Sequence, residues 1–230
     1  MKKRLIILTL LLFINLGLFS KEHAEVHTAE ISSNDNEDRI AYLSQKFNIS
    51  KAAISIAIKG YEKLRELGQI SNSMYLTIVD FSKPSNTERF YVIDMIKEQV
   101  IIKTLVAHGK NSGTLIPSEF SNKISSLKSS LGFYVTGNTY NGKHGTSLIL
   151  DGVEKGINDQ AKNRAIVLHG ANYVSSNLIS DGHTPIGRSF GCPAVPNNKV
   201  KSIIAAIKGG TCMFVYAPNS EYTQKSLLAK

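Results

Sequence analysis

The chain is 230 residues long, 42% of them hydrophobic and 20% charged, with 17 Gly and 6 Pro. This usage excludes a disordered or collagenous chain and allows one domain of moderate size plus a short accessory segment. The formal charge is +9, and with no Trp the aromatic packing falls to 9 Tyr and 9 Phe.

The N-terminus reads as a targeting signal rather than as part of a fold. Met1-Lys2-Lys3-Arg4 is a positive n-region, Leu5 begins a nearly unbroken apolar run to Phe19, and polar sequence starts at Ser20-Lys21-Glu22. This is the layout of a secretory signal over residues 1–20, somewhat short for a spanning helix of about 20 residues. Ser20 is a small residue but Leu18 is a poor partner for it, so both cleavage and retention as an anchor stay open. No Cys follows the run, which argues against a lipoprotein. The expected location is the periplasm or cell envelope, where nucleic acid is not an accessible partner. The basic surplus suits transient contact with anionic envelope polymers or a membrane surface. Scattered solubilising charge is the simpler account, because no run of like charges stands out.

Residues 21–37 are polar and aperiodic, which predicts a flexible linker. His23 and His27 within it read as solvated residues rather than metal ligands, and no metal or other cofactor is expected. Residues 38–72 change texture. Ile40, Leu43 and Phe47, then Ala52, Ala53, Ile56, Ala57, Tyr61 and Leu64, fall mostly at spacings of three and four. That predicts two short helices broken near Asn48-Ile49-Ser50, with Ser50 as N-cap of the second and Gly68 as its stop. Together they form a small N-terminal accessory segment.

Strand-like runs follow at residues 74–81, 89–94 and 99–108, separated by turn residues such as Pro84 and Asn86. This is a β-meander signature. Further strands are predicted at 132–136, 147–150, 165–168 and 212–216, with short helices at 157–161 and 198–208. The main body is therefore a mainly β domain over 73–218, followed by a C-terminal tail over 219–230.

The chemistry concentrates late in the chain. Ala165-Ile166-Val167-Leu168 predicts a buried strand delivering His169-Gly170 at its end, a rigid place from which to aim an imidazole. Gly187-Arg188-Ser189-Phe190-Gly191-Cys192-Pro193 follows. A free thiol with a pKa near 8.5 is mostly protonated at neutral pH, so a nucleophilic cysteine needs a neighbouring base, and a nearby cation helps. His169 and Arg188 fit those roles, with the Gly170 carbonyl able to orient the imidazole. Glycine at 191 frees its own N–H or that of Cys192 for a substrate oxygen. Residue types and spacing alone are equally consistent with a core histidine and a half-cystine. The only other cysteine is Cys212, and an exported chain permits a Cys192–Cys212 disulfide.

The wording around these residues is more specific. Ser189-x-Gly191-Cys192 after His169-Gly170 resembles the active-site signature of L,D-transpeptidases, cysteine enzymes that remodel peptidoglycan. The murein L,D-transpeptidase catalytic domain family is the branch most similar. The similarity runs through Val106-Ala107-His108-Gly109-Lys110-Asn111-Ser112-Gly113, Ser129-Ser130-Leu131-Gly132-Phe133-Tyr134-Val135-Thr136-Gly137, Tyr140-x-Gly142-Lys143-His144-Gly145, Gly156-Ile157-Asn158-Asp159 and His169-Gly170-Ala171-x-Tyr173-Val174. It covers roughly residues 70 to 200.

The resemblance implies a β-sandwich or open barrel with short helices, and no cofactor. Cys192 is then the nucleophile and His169 the base, with Gly170 and Gly191 shaping the site. Arg188, Ser189, His144 and Tyr173 are expected to meet substrate, namely peptidoglycan stem peptides. One position departs from the commoner pattern: Phe190 stands where a His usually precedes the Gly-Cys, which leaves open whether an amine or water takes the acyl group. An L,D-carboxypeptidase or endopeptidase, and a non-catalytic wall-binding module with bridged cysteines, are the competing readings. His108 with Asn111 and Ser112 is a weaker site candidate, Asn158-Asp159 reads as a helix cap, and His183 lies in a Gly/Pro loop that reads as a lid or simply as solvent-exposed.

Overall fold

The structure, a computed structural model, describes residues 33–230. The signal read at 1–20, and His23 and His27, lie outside the described residues. Helix α1 covers Ser33–Phe47 and so begins inside the stretch read as linker. Helix α2 covers Lys51–Glu66 and is built as its sequence suggests. Between the helices Asn48 takes a left-handed conformation, Ser50 Oγ accepts from Ala53 N, and Gly68 at φ 64° ends the second helix. The backbone N–H of Ser50 also donates to Asp80 Oδ2 at 3.0 Å, which ties the start of α2 to the sheet. The helix buries Ala53, Ile54, Ala57, Ile58, Tyr61 and Leu64. Gly60 faces the Phe133 ring so closely that a methyl group there would overlap it at 2.0 Å, so helix and sheet share one core.

Eight strands form a mixed sheet in the order β3-β2-β1-β8-β4-β5-β6-β7. The strands are β1 Tyr75–Asp80, β2 Phe90–Asp94, β3 Gln99–Thr104, β4 Gly132–Gly142, β5 Gly145–Gly152, β6 Val167–Ala171, β7 Ala194–Pro196 and β8 Cys212–Tyr216. The first three make the expected antiparallel meander, and the last strand inserts between β1 and β4, parallel to β1. Phe133 and Phe214 stack at 4.3 Å in the core beneath α2. Beyond β3 the chain turns, and Ala107 N donates to Ala194 O of β7 at 2.8 Å. One bridge between the residues just beyond β3 and β7 thereby links the two ends of the sheet.

Four local expectations change. The strand expected over 99–108 stops at Thr104, because residues 105–109 leave β2 to bridge to β7 and the Ser189 loop. The strand expected at 165–168 starts at Val167, because Ala165 is held at φ 51°. His169 is therefore in mid-strand, not at its end. The helix expected at 157–161 is a run of turns. Asn158 Nδ2 donates to Phe133 O and Leu131 O while its Oδ1 accepts from Glu154 N, so this side chain crosslinks to β4 instead of capping a helix. The tail contains a helix, α4 Ser220–Lys225, docked through Tyr222 and Ser226 onto the buried Glu154 carboxylate, which also accepts from Phe133 N at 2.7 Å. The helix expected over 198–208 is α3, Asn197–Ile207. Among the described residues no helix is long and apolar enough to cross a membrane.

Candidate active site

Three pieces of chain converge on one cavity of about 350 Å³. Strand β6 supplies His169, the two-residue turn between β4 and β5 supplies Lys143 and His144, and the loop entering β7 supplies Arg188, Phe190 and Cys192. Tyr173 follows β6 and completes a wall. Another cavity, of about 230 Å³, lies between α4 and residues 120–123 and is lined by neither cysteine nor histidine.

His169 is buried, with Nδ1 at 2.8 Å from the Gly170 carbonyl oxygen. A carbonyl only accepts, so Nδ1 carries the proton and Nε2 keeps its lone pair. Burial holds this imidazole below the usual histidine range. The Gly170 carbonyl opposes that shift, and the charges of His144 and Lys143 add to it. The ring is thus neutral at pH 7 and ready to accept a proton. His144 stacks on it with ring centroids 4.2 Å apart. A methyl group at Gly170 would lie 2.4 Å from Asn197 Oδ1 at the start of α3, so a side chain there would have to displace the Asn197 amide.

Cys192 is a free thiol, half-buried in the cavity. Its Sγ accepts from Val167 N at 3.5 Å and lies 3.6 Å from the Ala165 carbonyl. Burial pushes the thiol up, while the Val167 N–H, Arg164 and Lys143 pull it down. Cys212 is also a free thiol, but it is fully buried in β8, paired with Leu76 and Val135. The Cys192–Cys212 bridge is therefore absent, and the non-catalytic module built on it loses its premise.

The loop around the thiol is held from inside. Ser189, expected to meet substrate, is buried and turns its hydroxyl inward: Oγ donates to Cys192 O at 2.6 Å and accepts from Gly191 N at 3.0 Å. The Gly191 N–H is therefore not free for an oxyanion, and the N–H of Cys192 is the remaining donor of the two. Gly191 sits at φ 124° with Lys128 O and Ile166 so near that a methyl group would meet each at 2.9 Å. Arg188 donates through one Nη to both Lys110 O and Gly113 O, so it braces the neighbouring loop at the cavity rim. The Tyr173 phenol is pushed up to about 12 by burial and by the nearby Cys192.

The expected residues Cys192, His169, Arg188, Ser189, His144 and Tyr173 thus share one cavity, with Gly170 and Gly191 directly behind it. His108 does not. It is fully buried between Arg89 Nη2, which donates to Nδ1 at 2.8 Å, and Gly113 O, which accepts from Nε2. Ser112 joins the same internal bracing by accepting from Ser129 N. His183 is exposed on the loop between β6 and β7. Arg164 lines the cavity without having been singled out from the sequence, and Tyr140 and Lys143, part of the family likeness but given no role in the site, line it too. Arg164 stands among ordinary polar neighbours, and its only signal is its place just before a buried run.

Comparison with known families decides the relationship. Residues 45–216, well over half of the chain, match the L,D-transpeptidase catalytic domain. The chain belongs to that family. Similar solved structures include an L,D-transpeptidase from Mycobacterium smegmatis, at 14% identity and a TM-score of 0.38, covering 63% of this chain and 59% of that one. The L,D-transpeptidase of Xylanimonas cellulosilytica has 16% identity and a TM-score of 0.37, covering 67% and 68%. The helical cell shape determining protein Pgp2 from Campylobacter jejuni has 14% identity and a TM-score of 0.41, covering 84% and 62%. The chain spans about three fifths of the length of the first of these. No curated protein matches it.

Proposed function

We propose that the protein is a peptidoglycan L,D-transpeptidase working through a Cys192 acyl-enzyme. The observation that carries the reading is the pairing of a free thiol with a neutral imidazole in one cavity, where the second ring nitrogen is committed to the Gly170 carbonyl. In the reaction, Cys192 Sγ attacks the carbonyl that joins the L-centre of the third stem residue to D-Ala, and its proton passes to His169 Nε2. The oxyanion forms beside the Cys192 N–H. Collapse breaks the C–N bond, His169 returns the proton to the departing D-Ala amine, and a thioester remains. An amine acceptor then attacks the thioester, its proton passes through His169, and a crosslink and the free thiol result.

Membership of the family and the absence of any acidic side chain from the cavity lining support an anionic acyl donor of this kind. In this reading Arg188, Tyr173 and His144, which line the cavity, meet that donor, whereas Ser189 holds the nucleophile loop. Export through a signal at residues 1–20 belongs to the same reading, with residues 73–218 as the catalytic domain and 38–72 as an accessory segment sharing its core. D-Ala release from a tetrapeptide muropeptide tests the proposal. Cys192→Ala should abolish release with the fold intact, and unchanged turnover in that variant would sink it. Product masses identify the acceptor: a dimer or amine adduct means transfer, and a bare tripeptide means hydrolysis.

A further inference from the structure

Arg164 is the cationic side chain closest in sequence to the backbone that cradles the thiol. The segment Arg164-Ala165-Ile166-Val167 supplies two contacts to Sγ, the Val167 N–H and the Ala165 carbonyl. Ala165 reaches its place only in the left-handed region, at φ 51°, which costs a non-glycine residue on the order of 1 kcal/mol. The guanidinium that precedes it is locked. Nη1 donates to Ser121 O at 2.6 Å and Ser130 Oγ at 2.5 Å, and Nη2 donates to Lys128 O at 2.5 Å and Ser126 Oγ at 3.2 Å. The same Nη2 would lie 3.2 Å from a methyl group at Gly191, the residue before the nucleophile.

All four acceptors are neutral. Among the described residues Arg164 forms no ion pair with a carboxylate. Its charge is therefore held, half-buried, in the wall of the nucleophile's cavity without a counter-ion. Half-burying an unpaired guanidinium costs free energy that four neutral hydrogen bonds only partly offset. An anion that forms beside it recovers the remainder.

We infer that Arg164 is a positioning residue for the reaction, a fixed cation whose counter-ion is the Cys192 thiolate. This rests on Cys192 being the nucleophile, though not on the identity of the acyl donor. The other charged or titratable groups lining the thiol's cavity are Tyr140 from β4, Lys143 and His144 from the β4–β5 turn, His169 from β6, Tyr173, and Arg188 from the nucleophile loop. Lys143, His144 and Arg188 are exposed, so solvent screens them; Arg164 is more enclosed and is fixed by its four bonds. Burial alone raises the thiol, and Arg164 is one of the groups that draw it down.

The test needs no peptide. Iodoacetamide alkylates the thiolate, with the S–C bond forming as iodide leaves, and the pH at half-maximal rate reads the thiol's ionisation. In the native full chain the label maps to Cys192 because Cys212 is fully buried. Arg164→Met should move the midpoint up by about one unit, slowing alkylation at neutral pH about tenfold, while Arg164→Lys should stay near the wild-type midpoint. If the Met variant does not fold, Arg164→Gln keeps an amide donor for Lys128 O without the charge and reads the same shift. A profile unchanged in the uncharged variant overturns the inference, as does loss of the fold in every variant, which would assign Arg164 to the fold alone. The wild-type enzyme's failure to release D-Ala would overturn the proposed function and leave this result standing.

Discussion

His108 and His169 are both buried histidines, each following a buried strand-like run and each with one ring nitrogen on a backbone carbonyl. They differ in the second nitrogen. In His108 it accepts from Arg89, itself fully buried and bonded to Val106 O and Lys83 O, and Phe81 packs edge-on against the imidazole at 5.9 Å. In His169 it is left with a free lone pair in a cavity that also holds a thiol. Burial lowers both imidazoles. A histidine with both nitrogens committed is a brace, and one with a single nitrogen committed keeps a lone pair that can accept a proton. The arginines repeat the contrast: Arg89 is sealed beneath the sheet's edge, whereas Arg164 is locked on one side and faces the nucleophile loop on the other.

The comparison breaks most visibly by substitution. His169→Ala should lower kcat/KM for D-Ala release by about 10²- to 10⁴-fold and leave thermal unfolding nearly unchanged. His108→Ala should do the reverse, costing stability by stranding an Arg89 donor, about 1–3 kcal/mol in urea titration. Equal activity losses in the two variants would erase the distinction.

Acid separates the histidines next. Burial, then the Arg89 charge, hold His108 down to about 4. The unfolded chain binds its proton near pH 6.5, so between 6.5 and 4 the unfolded state holds more protons and stability falls as pH falls. The loss attributable to this group is about 3 kcal/mol, complete near pH 4. Urea midpoints for wild type and His108→Asn should therefore converge as the pH is lowered. Parallel curves would show that His108 is not held neutral.

Smaller effects sharpen the picture of the nucleophile loop. Gly191→Ala places a methyl against Lys128 O at a backbone angle suited to glycine. It should cost about 1–3 kcal/mol in urea titration and slow alkylation of Cys192. Phe190 is 62% exposed, with Lys110 Nζ 5.0 Å from its ring centroid. Phe190→Ala should change stability by no more than about 0.5 kcal/mol. A larger loss would mean that the loop is packed more tightly than its exposure indicates.

The parts legible in the sequence are those whose signals are local. Ser50 and Gly68 bracket α2, and the strand-like runs of β1 to β3 alternate with turn residues, so capping and turn chemistry suffice to read them. The loop Arg188–Cys192 and His169 were legible through their wording and its likeness to a family. What stayed hidden depends on distant partners. The insertion of β8 between β1 and β4 is a pairing choice no local pattern encodes. Asn158 looks like a cap until Phe133 and Leu131 present their carbonyls. Ser189 reads as a substrate contact, yet its hydroxyl is consumed by the loop it belongs to. Arg164 acquires meaning only when Ser121, Ser126, Lys128 and Ser130 fold around it.

The central claim is that Cys192 becomes acylated, with His169 as its base. Intact-mass measurement after brief mixing with a tetrapeptide muropeptide tests it most directly. The account predicts an adduct equal to the donor less D-Ala, mapped to the peptide containing Cys192, absent in Cys192→Ala and slow to form in His169→Ala. D-Ala release without any adduct at Cys192, or an adduct that persists in Cys192→Ala, would contradict it.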